Sequence, residues 1–163
     1  MTKITNLPPR LFIKAAAMCW FISLCLPAMT YDDCTYYGYE AMVMGILFGW
    51  VDLIFQPYSN ITFWIALIMT WLGKKPVNMA ALTFIVGLSS FLIFSILNTG
   101  DKGTHDAPIE SWGWGALLWI IAYALLLLGS AQATYPTLLY RLRYWIPFTA
   151  IGFCLLFVAV LHK

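Results

Sequence analysis

Long apolar runs that carry almost no charge constrain the fold of this chain more than any other feature. The longest cover 11–29, 77–97 and 113–131. Over the whole chain 62% of the residues are hydrophobic and 10% are charged, whereas soluble domains average roughly 45–50% apolar and about 25% charged residues. The sequence therefore predicts an integral membrane protein, folded as a single polytopic transmembrane helical domain over residues 1–163.

Six apolar segments can be marked, and two of them are short. They cover 11–29, 41–55, 59–73, 77–97, 112–131 and 145–161. A helix of about 15 residues reaches ~22 Å, against roughly 30 Å of hydrocarbon. Between the two short segments lies Pro57, which breaks a helix. We expect an all-α protein with five transmembrane helices and one short re-entrant or interfacial helix at 41–55, or with six transmembrane helices if 41–55 also spans.

The basic residues favour one orientation. With five crossings, seven of the nine Lys and Arg residues fall on one side of the membrane, whereas six crossings split them five to four. Loops rich in Lys and Arg remain in the cytoplasm, so the five-crossing arrangement is preferred. It makes the amino terminus and the turn at Lys74 and Lys75 cytoplasmic. The expected location is a bacterial inner membrane, with the first apolar segment retained and not cleaved as a signal peptide.

Asp52 is the leading candidate for a polar site, because it lies inside an apolar segment. Burying a carboxylate in lipid is costly unless the carboxylate is paired, solvated or protonated. Gly45, Gly49, Asp52 and Gln56 recur at helical spacing and share one stripe. Lys14 is the candidate partner of Asp52 if the second segment spans. Otherwise Lys14 extends to the cytoplasmic surface and Asp52 lies near the outer interface.

Other residues complete the set of candidates. Glu40 and Asn60 join Lys14, Asp52 and Gln56 as polar residues within or beside the apolar segments. Small residues suit close helix contacts, and these are Gly45, Gly49, Gly113 and Gly115. Cys25 and Cys34 could close a disulfide in an oxidising compartment, and otherwise they remain free thiols.

The sequence contains no motif for a metal, a cofactor or a phosphate group, and its separated charges offer no surface for nucleic acid. The expected partners are the lipid bilayer and another membrane protein or a second copy of this chain. The preferred function is non-catalytic contact with another membrane component, as in an accessory subunit or an immunity-type protein. Two alternatives stay open: a small transporter or channel with a polar path at Asp52, and a membrane enzyme acting on lipid or quinone.

Overall fold

Five α-helices and a small sheet make up the part of the chain that the structure describes. The computed structural model describes residues 8–31, 34–48, 56–97 and 109–135. The helices are α1 (Pro9–Leu24), α2 (Gly38–Phe48), α3 (Ser59–Trp71), α4 (Val77–Leu97) and α5 (Trp114–Thr134), and a 3-10 turn at Gln56–Tyr58 precedes α3. The helical fold that the hydropathy pattern predicts is confirmed. The sixth apolar segment, 145–161, lies outside the described residues.

The segments that follow α1 and that precede α2 and α5 form a three-stranded antiparallel sheet that the all-α prediction missed. Its strands are β1 (Pro27–Tyr31), β2 (Cys34–Tyr37) and β3 (Ile109–Trp112), in the order β2-β1-β3. Pro27 ends the helical run, because proline lacks the amide hydrogen that another helical turn requires. The sheet joins the end of α1 to the beginnings of α2 and α5. We call this the sheet end of the bundle.

Helices α1 and α5 pack against each other in antiparallel directions. Near the start of α1, a Cβ atom on Gly129 would lie 3.0 Å from Cβ of Phe12. At the other end of the pair, a Cβ atom on Gly115 would lie 2.7 Å from the Leu26 carbonyl oxygen and 2.9 Å from that of Ser23. Glycine at these points lets the two backbones approach closely.

Helix α3 begins inside the bundle and runs to the end opposite the sheet. The Thr70 hydroxyl lies 3.0 Å from that of Ser130, near the carboxyl end of α5. At the sheet end, the Gly38 amide that begins α2 donates to the Leu26 carbonyl oxygen at 3.0 Å. The start of α2 therefore lies at the sheet end of the bundle, and the end of α3 lies at the opposite end.

The turn between α3 and α4 lies at this second end. Gly73 has a φ of 77°, a conformation that glycine adopts without strain. The amides of Gly73 and Lys74 donate to the carbonyl oxygens of Thr70 and Met69 at 3.0 and 2.9 Å, which is the Schellman arrangement that ends a helix. Pro76 follows, and α4 begins at the next residue. Lys74 and Lys75 are thus held at the end of the bundle where α1 begins.

Among the described residues, one helix qualifies as a candidate membrane span by length and composition, and it is α5. Helices α1, α2 and α3 have 16, 11 and 13 residues. At 1.5 Å per residue these helices reach about 24, 16 and 20 Å. Helix length and hydropathy in the described residues therefore support one candidate span and not the five expected from the sequence.

The sheet predicts a specific cross-link. Thr30 of β1 is the register partner of Ser111 of β3, and such partners lie about 4.5–5.5 Å apart between Cα atoms, within the range that a disulfide needs. In a Cys25→Ser, Cys34→Ser background, Thr30→Cys combined with Ser111→Cys should cross-link under mild oxidation, as measured by a reductant-sensitive shift on a gel. Thr30→Cys combined with Lys75→Cys is the control. A cross-link in the control and none in the test pair would contradict this topology.

Candidate functional site

A buried side-chain amide, that of Asn60, joins three helices. Its oxygen, Oδ1, accepts hydrogen bonds from the indole N–H of Trp20 at 2.8 Å, the indole N–H of Trp119 at 2.7 Å and the hydroxyl of Tyr123 at 2.9 Å. Trp20 belongs to α1, Asn60 to the first turn of α3, and Trp119 and Tyr123 to α5. One acceptor therefore fixes the relative positions of α1, α3 and α5. We call these four residues and Ser59 the Asn60 cluster.

The hydrogen-bond partners determine the orientation of the Asn60 amide. An indole N–H can only donate, so the atom that faces Trp20 and Trp119 must be the oxygen. The nitrogen, Nδ2, donates to the Pro57 carbonyl oxygen at 2.9 Å, which ties the cluster to the 3-10 turn. Aspartate would place a second acceptor against that carbonyl, whereas asparagine offers an acceptor on one side and a donor on the other.

A short relay of hydroxyl groups extends the cluster. The Tyr123 hydroxyl uses its hydrogen on Asn60, so the Ser59 hydroxyl, 2.9 Å away, must be the donor to Tyr123. Ser59, Asn60 and Tyr123 are each 4% exposed. Hydrogen bonds in such a relay polarise one another, and the low local dielectric strengthens them. The cluster therefore acts as one unit rather than as separate pairs.

Aromatic packing closes the space around these polar groups. Phe63 is completely buried, and its ring stacks on Trp20 with centroids 6.1 Å apart and planes 13° apart. The ring of Tyr123 lies tilted against that of Phe63, with the centroids 5.3 Å apart. On α4, Gly87 lies against the Tyr123 ring with no room for a side chain. The polar atoms of the cluster are thus enclosed by rings of the same chain.

Two further hydrogen bonds connect α3 to its neighbours. The Thr83 hydroxyl of α4 donates to the Thr62 hydroxyl at 2.7 Å. The hydroxyls of Thr70 and Ser130 join α3 to α5 at 3.0 Å. Polar side chains therefore link helices along the interior, a pattern typical of helix packing in an apolar medium, where hydrogen bonds between helices contribute to association.

The structure brings one of the predicted polar residues, Asn60, into the cluster. Lys14 is exposed on α1, and Glu40 lies at the sheet end. The Glu40 carboxylate accepts from the backbone amide of Tyr37 and from the hydroxyl of Tyr39, each at 2.9 Å. Its hydrogen bond raises the pKa of the Tyr39 phenol, because ionised Tyr39 would stand beside a carboxylate and lose that bond. Glu40 therefore holds the junction between β2 and α2.

Other predicted residues also make contacts within the chain. Gly45 leaves no room for a side chain against Pro57, and Gly113 leaves none against the Pro27 backbone. Gly115 packs on the end of α1, as described above. Gln56 begins the 3-10 turn. Asp52 and Gly49 lie outside the described residues, so the proposed pairing of Asp52 with Lys14 stays a prediction.

The cysteines named as a disulfide pair are free thiols in the structure. Cys25 lies in the turn after α1, and Cys34 begins β2. Both side chains are exposed at the sheet end. The structure thus corresponds to the reduced form of this pair.

Sequence reasoning did not single out Trp20, Trp119 and Tyr123. The positions of the two tryptophans could have pointed to them. Trp20 and Trp119 fall inside apolar segments, whereas tryptophans that anchor a helix at the membrane interface are typical of segment ends. Trp119 and Tyr123 are also four residues apart, which places them on one face of a helix. A tryptophan deep in an apolar segment needs an acceptor for its N–H, and Asn60 supplies that acceptor.

No family model matches this chain, and neither a curated protein nor a solved structure does. The role of the Asn60 cluster is therefore inferred from its own contacts. The side chains of the cluster hydrogen-bond to one another across three helices, and such an arrangement is suited to positioning those helices.

Removing the shared acceptor should strongly destabilise the fold. Asn60→Leu leaves the donors of Trp20, Trp119 and Tyr123 buried without a partner, at about 1–3 kcal/mol each. We expect a loss of roughly 3 kcal/mol or more in thermal unfolding measured in mild detergent. Tyr123→Phe should lose about 1 kcal/mol. Its control is Tyr135→Phe, because Tyr135 is 52% exposed. This substitution should change stability by less than about 0.5 kcal/mol. Parent-like stability of Asn60→Leu would contradict the assigned bonds.

Proposed function

We propose that this chain is a multi-pass membrane protein that acts by contact with another membrane component and not by catalysis. The observation that carries the proposal is the distribution of polarity. Hydrogen-bonded polar side chains of the Asn60 cluster lie inside the bundle, while large apolar side chains cover its outside. This is the reverse of what a water-soluble bundle requires.

The exposed apolar residues occur on every helix of the bundle. Met18 on α1 is 64% exposed, Ile68 on α3 is 52% exposed and Ile85 on α4 is 62% exposed. Soluble monomers rarely expose contiguous apolar patches larger than a few hundred Å². Lipid removes this problem, because acyl chains are as apolar as these side chains. A bilayer around the bundle accounts for the exposed apolar side chains on all of its helices at once.

Helix lengths and charges support a topology. Helices α4 and α5 each have 21 residues and carry no charged side chain, and their length of about 32 Å matches a hydrocarbon core of roughly 30 Å. The four basic residues that the structure describes, Arg10, Lys14, Lys74 and Lys75, are exposed toward the end opposite the sheet. In the proposed topology that end faces the cytoplasm of a bacterial cell.

The broken stretch from α2 to α3 fits one of the five proposed crossings. It starts at the sheet end and finishes at Lys74, with the 3-10 turn between its two helices. In this arrangement α2 is the re-entrant or interfacial helix, and the segment 145–161 supplies the fifth crossing. An odd number of crossings then separates the two ends of the chain.

Contact with a partner is preferred over catalysis or transport because the polar side chains discussed above bond within the chain itself. Glu40, one of the predicted polar residues that a membrane enzyme could use as an acid or base, bonds to its own chain at the sheet end. The polar atoms of the Asn60 cluster are enclosed by the rings of Trp20, Phe63 and Tyr123. The transport alternative depends on Asp52. The outer helical surface remains as the region through which another membrane protein, or a second copy, can bind.

Topology can be tested by cysteine labelling in intact cells. In a background lacking native cysteines, Arg10→Cys and Lys75→Cys should resist an impermeant thiol reagent, because both positions lie at the proposed cytoplasmic end. Ser111→Cys, at the sheet end, should be labelled. Permeabilised cells, in which all three variants react, provide the control. Labelling of positions 75 and 111 to the same extent in intact cells would reject this topology.

The partner proposal predicts protein contacts confined to one side of the bundle. A photoreactive phenylalanine analogue can be placed in turn at Met18, Ile65 and Ile85, three outward positions on different helices. Because a partner covers one sector and lipid covers the rest, irradiation of cells should give an adduct of one defined mass at some of these positions and none at the others. Equal results at all three positions, whether protein adducts or none, would speak against a specific protein contact.

A further inference from the structure

A groove lies between α3 and α4, toward the end of the bundle that carries the basic residues. Its volume is about 430 Å³, within the range of roughly 300–1,000 Å³ that is typical of small-molecule sites. The lining includes Thr62, Met69, Lys75, Asn78, Met79 and Leu82. We call it the α3–α4 groove.

On α4 the lining changes from polar to apolar with distance from the turn, while on α3 the apolar Met69 lies nearer the turn and Thr62 lies further from it. Lys75 and Asn78, at the turn and the first residues of α4, have exposed side chains. Further along α4 the lining consists of Met79 and Leu82, and Leu82 is 52% exposed. Thr62 is already bonded within the bundle, to the Ser59 carbonyl oxygen and to Thr83. A ligand that fits this lining has a polar, hydrogen-bonding head and an apolar tail.

The charge around the groove selects the head. Lys75 lines it, and Lys74 is adjacent in the same turn. The acidic residues that the structure describes are Glu40 in α2 and Glu110 in β3, which belong to the sheet end. The groove therefore lies in a positive field, which favours an anionic head.

We propose that the α3–α4 groove binds an anionic phospholipid. The ammonium of Lys75 and the amide of Asn78 contact the phosphate, and one acyl chain lies along Met79 and Leu82 and continues into the bilayer. A phosphate with a charged donor gives the stronger class of hydrogen bond, and anionic lipids are the ligands that basic residues recognise at the cytoplasmic leaflet. This inference rests on the membrane location proposed above.

The test uses the full chain purified in a mild detergent and native mass spectrometry with dioleoyl-phosphatidylglycerol or dioleoyl-phosphatidylcholine as the added lipid. Phosphatidylglycerol should bind more tightly than phosphatidylcholine. Lys75→Gln should weaken phosphatidylglycerol binding about tenfold, because one charge-assisted bond is lost. Lys14→Gln removes the same charge outside the groove and should change binding by less than about twofold. Both side chains are exposed, so neither change should affect folding, and circular dichroism can verify this.

A second pair of variants tests the tail of the site. Leu82→Trp should block the groove and weaken binding of phosphatidylglycerol, whereas Ile85→Trp, one turn further along α4 and outside the lining, should leave it within about twofold. Equal binding of the two lipids, or equal losses in Lys75→Gln and Lys14→Gln, would overturn the proposal. If cysteine labelling still gives the expected topology, such a result removes the lipid site alone and leaves the membrane proposal standing.

Discussion

The structure depends on one carbonyl oxygen that accepts three hydrogen bonds in an apolar interior. Asn60 Oδ1 serves Trp20 on α1 and Trp119 and Tyr123 on α5. Where apolar surface surrounds the helices, apolar side chains give little preference for one helix contact over another, and polar contacts and close packing decide which faces meet. The shared acceptor fixes the rotation of three helices at once, since each donor reaches it from a single face.

Asn60 also connects helix packing to the 3-10 turn that precedes α3. Asn60 donates to the Pro57 carbonyl oxygen, and the Tyr58 hydroxyl donates to the Ile46 carbonyl oxygen at 3.2 Å. Gly45 packs directly on Pro57. Irregular backbone at membrane depth is tolerated when it is buried in protein and its polar groups are satisfied. In the proposed topology, the Asn60 cluster thus supports a crossing in which α2 and α3 are separate helices.

Hydropathy predicted the helices because apolar length is a local property. The segment expected at 77–97 coincides with α4, and that at 59–73 contains α3. The sheet was missed because β1 pairs with β3, roughly 80 residues later in the chain, and no local pattern records that pairing. Asn60 was named as a polar residue within or beside the apolar segments, but its donors Trp20 and Trp119 were not named. Their N–H groups are spread over two distant helices, and only the fold brings them to one oxygen.

Indole N–H exchange measures the central interaction most directly. In the protein labelled with ¹⁵N-tryptophan, the N–H signals of Trp20 and Trp119 should exchange with deuterium far more slowly than that of Trp114, which is 71% exposed beside the sheet. In Asn60→Ala both protected signals should shift and exchange faster, while the Trp114 signal stays unchanged, because Trp20 and Trp119 share one acceptor. If Trp20 and Trp119 exchange as fast as Trp114 in the parent protein, or keep their shifts and rates in Asn60→Ala, the shared acceptor does not exist.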